Sequence, residues 1–192
     1  MKKLEIISCE NVFKKYVFEI NEFRLRHEKQ DGTMSDELVR LVFERGDSAA
    51  ALIHDTEQDC LLFTNQFRLP TRNVLPSGWL HEITAGMVEQ GEEPAHSMRR
   101  ELLEEIGYAV EDLELICSVF LSPGGSSERV HVFFASVTSK DKQTEGGGVE
   151  SEGEDIELVS LPVDEMMAKM KNGEIHDAKT LIALQWFAMN RK

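Results

Sequence analysis

The sequence has few of the features that mark secreted or membrane proteins. It contains only three cysteines in 192 residues, Cys9, Cys60 and Cys117, which are far apart and outside the usual spacings of metal ligands. This arrangement excludes a disulfide scaffold and indicates reduced thiols. No apolar run reaches the roughly 18 residues that a transmembrane helix needs, since the longest spans residues 49–53. At the start of the chain, Glu5 interrupts the apolar stretch that a signal peptide would carry.

Positive charge is also scarce. The 21 Lys and Arg residues are outnumbered by 35 Asp and Glu, which gives a net charge of −14. A chain this acidic is unsuited to a phosphate backbone, so we expect no nucleic-acid partner. With 41% hydrophobic and 29% charged residues, the composition is that of a globular protein. We therefore expect a cytoplasmic protein with no membrane partner.

The negative charge is concentrated in two blocks. Residues 82–105 contain seven acidic and two basic residues, and residues 141–157 contain seven acidic and one basic residue. An acidic block is commonly a solvated face. Two such blocks in a chain that can fold also indicate a site that divalent cations neutralise.

The order of predicted elements favours an α/β fold. Residues 1–45 alternate as strands do, with a turn at Asp31 and Gly32, and predict an antiparallel β arm too small to fold alone. Residues 46–192 form the second predicted domain. Its strands are expected at residues 79–83, 113–121, 129–137 and 156–161, and its helices at 94–106, 164–171 and from about 177. A long acidic, glycine-rich loop is expected over residues 138–154. This mixture predicts an α/β sandwich.

The helix over residues 94–106 carries the clearest chemical signal. Pro94 suits its first position and Gly107 suits the position just past its end. At about 100° per residue, Glu101, Glu104 and Glu105 share one face. An apolar stripe lies beside that face, formed by Ala95, Met98, Leu102 and Ile106. Clustered carboxylates without interspersed lysines favour Mg²⁺ or Mn²⁺ binding over a solvated surface.

The sequence around this helix resembles the Nudix box. That pattern is G, five residues, E, seven residues, R-E, an apolar residue, any residue, E-E, any residue, G and an apolar residue. The chain has all seven specified identities, which are Gly86, Glu92, Arg100, Glu101, Glu104, Glu105 and Gly107. Tyr108 stands at the last position, where an aliphatic residue is commoner.

The resemblance implies an α/β/α sandwich with a mixed sheet and metal-assisted hydrolysis of a nucleoside diphosphate derivative. It implies Glu101 and Glu105 as Mg²⁺ ligands, with Mn²⁺ as a substitute, assisted by Glu104 and the carbonyl oxygen of Ala85. Arg100 and Glu92 would orient these ligands.

Further segments resemble the ADP-ribose and GDP-mannose (nucleotide-sugar) pyrophosphatase branch of the family. Residues 82–86 match its E-x-x-A-G sequence, and Pro123 matches a downstream proline typical of it. Residues 122–128, 146–150 and 173–180 are similar to segments of the GDP-mannose pyrophosphatases. A nucleotide sugar or ADP-ribose is therefore the implied substrate.

This narrower resemblance also implies roles for residues outside the box. Arg40, Arg68, Glu128 and Lys179 would contact the substrate. Glu154, in the acidic loop, would be a metal ligand or the catalytic base. Other acids of the loop remain candidates for that role, namely Glu150, Glu152, Asp155 and Glu157.

Members of the branch are dimers that exchange their N-terminal sheets, so residues 1–45 are implied to be a dimerisation arm. These enzymes usually carry a tyrosine there that stacks on the base. The chain has Val12 at the corresponding place, with Phe13 and Tyr16 nearby, which leaves the preferred base open.

Two other functions fit parts of the pattern. A Nudix hydrolase of modified nucleoside triphosphates is disfavoured by Pro123 and by the N-terminal arm. A non-catalytic sensor of ADP-ribose would be expected to lose box glutamates and to gain a basic domain. The chain keeps every acid of the box and is strongly acidic.

Overall fold

The computed structural model describes residues 1–149 and 153–190. They form two compact units. The first contains Met1–Asp47 together with Phe120–Arg129. The second contains Ser48–Val119 and the chain from Val130 onward. The predicted boundary at residue 45 lies close to the first division, whereas residues 120–129 group with the N-terminal unit from far along the chain.

The first unit is a three-stranded antiparallel sheet. Its strands, in the order β1-β2-β3, are β1 (Leu4–Lys15), β2 (Phe18–His27) and β3 (Leu38–Glu44). The segment of residues 120–129 extends it, since the Phe43 N–H donates to the Gly125 carbonyl at 2.8 Å. The predicted antiparallel arm is confirmed.

The second unit contains a seven-stranded mixed sheet. Its strands are β4 (Ser48–Asp55), β5 (Cys60–Phe67), β6 (Trp79–Glu82), β7 (Thr84–Met87), β8 (Glu114–Phe120), β9 (Arg129–Val137) and β10 (Glu157–Pro162). The main order is β10-β5-β4-β9-β8, with β6 paired to β5 and β7 paired to β4. β4 and β9 run parallel.

Helices cover both faces of this sheet. They are α1 (Pro94–Glu101), α2 (Val163–Lys171) and α3 (Ala178–Asn190). The side chains of β4 alternate between the faces, with Ala49, Ala51 and Ile53 in the core that includes α1. Ala50 and Leu52 belong to the core that includes α2 and α3. Because β4 is buried on both faces, its sequence is almost continuously apolar. The predicted α/β/α sandwich is confirmed.

The helix predicted over residues 94–106 differs from the expectation in its last turn. The α-helix ends at Glu101 and continues as a π-helical turn over Leu102–Ile106, which stops at Gly107 with φ 79°. The backbone N–H groups of Gly147 and Gly148 donate to carbonyl oxygens of this turn. A single wider turn does not change the apolar periodicity, so the pattern predicted a continuous α-helix.

In the described part of the chain, no helix is long and apolar enough to cross a membrane.

Candidate active site

Gly86 on β7 creates space for Glu101. A Cβ at this glycine would overlap the carboxyl group of Glu101. The glycine of the motif therefore allows the Glu101 side chain to lie directly against the β7 backbone, next in the chain to Ala85. This contact joins the strand that carries one predicted metal ligand to the helix that carries the others.

Arg100 links two of the predicted metal ligands. Its Nη1 lies 2.9 Å from Oε1 of Glu101 and 3.0 Å from Oε2 of Glu104. Burial raises the pKa of Glu101 above its ordinary value, and the Arg100 guanidinium opposes that rise. Glu92 accepts hydrogen bonds from the Ser97 hydroxyl at 2.5 Å and forms a pair with His96 at 2.8 Å.

Glu105 is the most deeply buried acid of the box, with 2% of its surface exposed. Its Oε1 accepts a hydrogen bond from the Gln66 amide at 3.4 Å. Its Oε2 is buried and has no hydrogen-bond partner among the described residues. Burial, followed by the nearby charges of Glu101, Glu154 and Glu82, raises the pKa of Glu105 to about 8. An ionised carboxylate at this position requires a compensating positive charge.

The carboxylates of the box have the chemistry that a divalent cation requires. Within residues 1–149 and 153–190, no three His, Cys, Asp or Glu side chains converge as a ready ligand set. One oxygen of Glu101 and one oxygen of Glu104 are paired with Arg100. The orphaned Oε2 of Glu105, among mutually repelling carboxylates, is nevertheless the kind of hard oxygen that Mg²⁺ or Mn²⁺ binds. The donor set fits a divalent cation.

A glycine-rich segment brings the acidic loop to the end of the π-helical turn. The N–H of Gly147 donates to the Glu105 carbonyl at 2.9 Å, and the N–H of Gly148 donates to the Glu104 carbonyl at 3.1 Å. Gly146 has φ 70°, and a Cβ there would overlap the Glu105 carbonyl oxygen. Only glycine permits this close backbone approach.

Glu154 follows this segment and lies near the box. Its Oε2 accepts a hydrogen bond from the Val149 N–H at 2.8 Å. Its charge raises the pKa of both Glu101 and Glu105, after the larger effect of burial. Of the other candidate acids, Asp155 is exposed and Glu157 accepts a hydrogen bond from Asn65 at 3.0 Å. Glu150 and Glu152 lie outside the described residues.

Two of the predicted substrate contacts meet at a buried carboxylate. Glu82 is paired with the Arg68 Nε at 2.5 Å and with the Lys179 Nζ at 3.0 Å, and its side chain is only 4% exposed. Lys179 also contacts Asp177 at 2.8 Å. Burial alone would lower the pKa of Lys179, but Glu82 and Asp177 outweigh that effect and hold the pKa above its ordinary value. Arg68 is the more accessible cation, with 42% of its side chain exposed.

The same network fixes the start of α3. Oδ2 of Asp177 accepts hydrogen bonds from the N–H and the hydroxyl of Thr180, at 2.9 and 2.7 Å. This is the geometry of an N-terminal helix cap. The Thr180 hydroxyl oxygen also accepts the N–H of Ile83 at 3.0 Å, which ties α3 to the segment between β6 and β7.

The other two predicted substrate contacts belong to the first unit. Arg40 lies exposed on β3, where its Nη1 donates to the Val39 carbonyl at 2.8 Å. Glu128 is half-buried in the segment of residues 120–129, and its N–H donates to the Ser126 hydroxyl at 3.2 Å. The second unit thus brings together the box acids, Glu154, Arg68 and Lys179, while Arg40 and Glu128 are placed by the N-terminal unit.

Three residues of this region were absent from the predicted site. Glu82 stood in the sequence as part of the E-x-x-A-G segment, and Asp177 stood at the expected start of the last helix. Gln66 lies on β5 two residues before Arg68, which directly follows the strand in an extended conformation, so their side chains project to the same side. That spacing was the available signal for Gln66, but it does not identify Glu105 as the hydrogen-bond partner of Gln66.

The fold and this arrangement of carboxylates define a Nudix protein, and the chain belongs to the Nudix family. The NUDIX domain matches residues 44–184. Over 184 residues the chain is 38% identical to a GDP-mannose pyrophosphatase of Pectobacterium atrosepticum, a match that covers 92% of this chain and 90% of that one. It is 34% identical over 191 residues to an ADP-ribose pyrophosphatase of Escherichia coli strain K12, covering 98% and 90% of the two chains.

A solved structure confirms the fold. The crystal structure of an ADP compounds hydrolase matches with a TM-score of 0.72 and 21% identity, over 97% of this chain and 93% of that one.

Proposed function

We propose that this chain hydrolyses the pyrophosphate bond of a nucleoside diphosphate sugar or of ADP-ribose, with Mg²⁺ as cofactor and Mn²⁺ as a substitute. The products are a nucleoside monophosphate and a sugar phosphate. Family membership and the near full-length similarity to two named pyrophosphatases support this proposal. A cytoplasmic location stays a prediction.

The observation that carries the proposal is Oε2 of Glu105, which is buried near Glu101 and Glu154 and has no partner in the part of the chain that the structure describes. A surface cluster of acids would be solvated and would need no cation. A carboxylate that is 2% exposed and faces like charges is costly to ionise alone. Such a group is therefore suited to bind a divalent cation that also binds a pyrophosphate.

In the proposed mechanism, Glu101, Glu104, Glu105 and the Ala85 carbonyl hold the cation, and Arg100 orients the first two carboxylates. When bound, the cation neutralises pyrophosphate charge and makes a bound water more acidic. Glu154 is the proposed base, with Oε1 free of the Val149 contact that holds Oε2. It accepts the proton of water as the water oxygen bonds to one phosphorus and the bond from that phosphorus to the bridging oxygen breaks.

Cationic side chains would bind the substrate. Arg68 is oriented by Glu82 and half-exposed, so it can donate to phosphate oxygens while it remains paired. Lys179 is proposed as a second contact, although its ammonium is already shared between Glu82 and Asp177. Arg40 and Glu128 are proposed to contact the rest of the substrate.

We also propose that two copies associate through residues 1–45, with exchange of the N-terminal sheets. The register of β1, β2 and β3 places Phe13, Phe18, Val39 and Leu41 on one face of the sheet. Each of these side chains is more than 40% exposed. The same face carries Glu22 and Arg24 opposite Leu41 and Val39. Exposed apolar side chains that share one face, bordered by charged ones, favour an interaction surface.

A substrate panel tests the proposed activity. We expect Mg²⁺-dependent release of nucleoside monophosphate from at least one of ADP-ribose, GDP-mannose and UDP-glucose. Glu105→Gln should lower kcat by orders of magnitude with circular dichroism unchanged, because the amide removes the anionic ligand.

Other outcomes of the panel would redirect the proposal. Turnover of nucleoside triphosphates alone would replace it with the hydrolase of modified nucleotides. Binding of ADP-ribose with no turnover of any substrate would indicate the sensor. Near-normal turnover by the Glu105→Gln variant would contradict the metal assignment.

A further inference from the structure

Gln66 is a buried polar side chain with no part in the mechanism above. It lies on β5 with 8% of its surface exposed, and its Nε2 donates to Oε1 of Glu105 at 3.4 Å. A buried amide is retained where its hydrogen bonds are used, because an unpaired one costs free energy. Its partner here is the box glutamate whose other oxygen is orphaned.

The end of β5 presents two donors to two different carboxylates. Gln66 lies on β5, and Arg68 directly follows the last residue of the strand with an extended backbone (φ −123°, ψ 91°). Because side chains alternate along an extended chain, those of Gln66 and Arg68 project to the same side. Arg68 binds Glu82, and Glu82 is also paired with Lys179. The charge of Glu82 is thus compensated by Arg68 and Lys179, whereas the neutral amide of Gln66 donates to Glu105.

Because Gln66 donates only to Oε1, the two oxygens of Glu105 have different roles. A glutamate carboxyl group can turn about its last torsion, and this broad torsion leaves the direction of Oε2 undetermined. A donor that holds Oε1 removes that freedom, and Oε2 has no partner among residues 1–149 and 153–190. Hydrogen bonds to ligating carboxylates are known to orient them and to raise metal affinity.

We propose that Gln66 is a positioning residue for Glu105, which holds Oε1 so that Oε2 faces the cation. The inference rests on the proposed function for the presence of a cation, but it concerns metal binding itself and can be tested without substrate.

The chain offers a matched control on the neighbouring residue. Asn65 lies on the other face of β5 and donates to Oε2 of Glu157 on β10, at 3.0 Å. Gln66→Met and Asn65→Leu each replace an amide with an apolar side chain of similar size. Gln66→Asn keeps the amide but shortens the side chain by one methylene. It is the second test variant, used if Gln66→Met folds poorly.

The experiment titrates each purified full-length variant with Mn²⁺ alone and measures free Mn²⁺ by electron paramagnetic resonance. We expect Gln66→Met to raise the Mn²⁺ dissociation constant about ten- to a hundredfold, and Gln66→Asn to raise it in the same direction. Asn65→Leu should leave it within about twofold. In turnover, the Gln66 variants should lower kcat at saturating Mg²⁺ and leave KM unchanged, because a positioning residue acts through Glu105 and not through a substrate contact.

The inference is overturned if Gln66→Met and Gln66→Asn bind Mn²⁺ as the wild type does. It is also overturned if Asn65→Leu weakens binding equally, since the effect would then be a general loss of strand order. The proposed function fails separately, if the wild-type protein binds Mn²⁺ but hydrolyses no member of the substrate panel.

Discussion

Glu101, Glu104 and Glu105 are the same kind of residue within five positions, yet the fold gives them different environments. Glu104 is half-exposed and pairs with Arg100, whereas Glu105 is almost fully buried and has one orphaned oxygen. Their spacing placed them on one face, but it did not show which of them is the most difficult to ionise. Burial makes Glu105 the most difficult to ionise, because it raises the pKa of this residue to about 8.

Asp177 leads us to expect that the free energy of unfolding depends on pH. Burial alone would raise its pKa, but Lys179 and the Thr180 hydrogen bonds outweigh that effect and hold the pKa below its ordinary value. A depressed folded-state pKa stabilises the fold above the unfolded value near 3.8, and this stabilisation is lost as the pH falls through the folded value. We expect Asp177→Asn to lower the free energy of unfolding by about 1–3 kcal/mol at pH 7.

Urea unfolding at several pH values between 7 and 3 measures this difference. The gap between wild type and variant should shrink as the solution becomes more acidic. Asp112→Asn, which changes an exposed acid between Gly107 and β8, is the control and should cost less than about 0.5 kcal/mol. A gap that is independent of pH would show that the charge of Asp177 does not contribute.

At the scale of elements, the glycine-rich segment of residues 146–148 determines where Glu154 lies. Its backbone donates to carbonyl oxygens at the end of the π-helical turn, and Glu154 then meets the box. The sequence showed three consecutive glycines and a long acidic loop, but not the surface on which they pack. That contact joins two parts of the chain about 40 residues apart, so no local pattern encodes it.

We expect Gly146→Ala to be more damaging than its backbone angle alone explains. Both Gly146, with φ 70°, and Gly173, with φ 75°, are left-handed, and alanine costs about 1–2 kcal/mol at such a position. A methyl group on Gly146 would also overlap the Glu105 carbonyl, whereas no atom of the described residues lies within 4 Å of the corresponding position on Gly173.

Urea unfolding and kcat distinguish these two effects. Gly146→Ala should lose more unfolding free energy than Gly173→Ala, and it alone should lower kcat, because the loop that carries Glu154 is displaced. Equal losses of stability with full activity in both variants would contradict this role of the segment.

For the whole molecule, the exposed apolar face of the N-terminal sheet leads to a prediction of assembly. Light scattering should give a mass about twice the 21.8 kDa of one chain. Leu41→Lys should shift the protein towards the monomer, because a charge replaces a side chain that is 56% exposed within the apolar cluster.

The control for assembly is Leu115→Lys, which adds the same charge at a side chain that is 53% exposed on β8. It should leave the mass of the dimer unchanged. A monomeric wild-type protein at low micromolar concentration would refute the proposed exchange of sheets.

The fold class and the box acids could be predicted from the sequence because both depend on local spacing. Strand alternation placed the N-terminal sheet, and the positions of Gly86, Glu101 and Glu105 identified the family. The π-helical turn could not be predicted, because one wider turn leaves the same residues apolar. The pairing of Lys179 with Glu82 was also hidden, since the two residues lie 97 positions apart along the chain.

By itself, the sequence determined the family and the acidic residues that its motif contains, because periodicity and motif spacing are properties of the chain and are present in any conformation. The tertiary structure alone decided how those residues differ from one another. It buried Glu105, placed Gln66 against Oε1, paired Arg68 and Lys179 with Glu82 and brought Glu154 to the box. Each of these effects depends on distance and on the exclusion of water, which arise only when remote segments pack together.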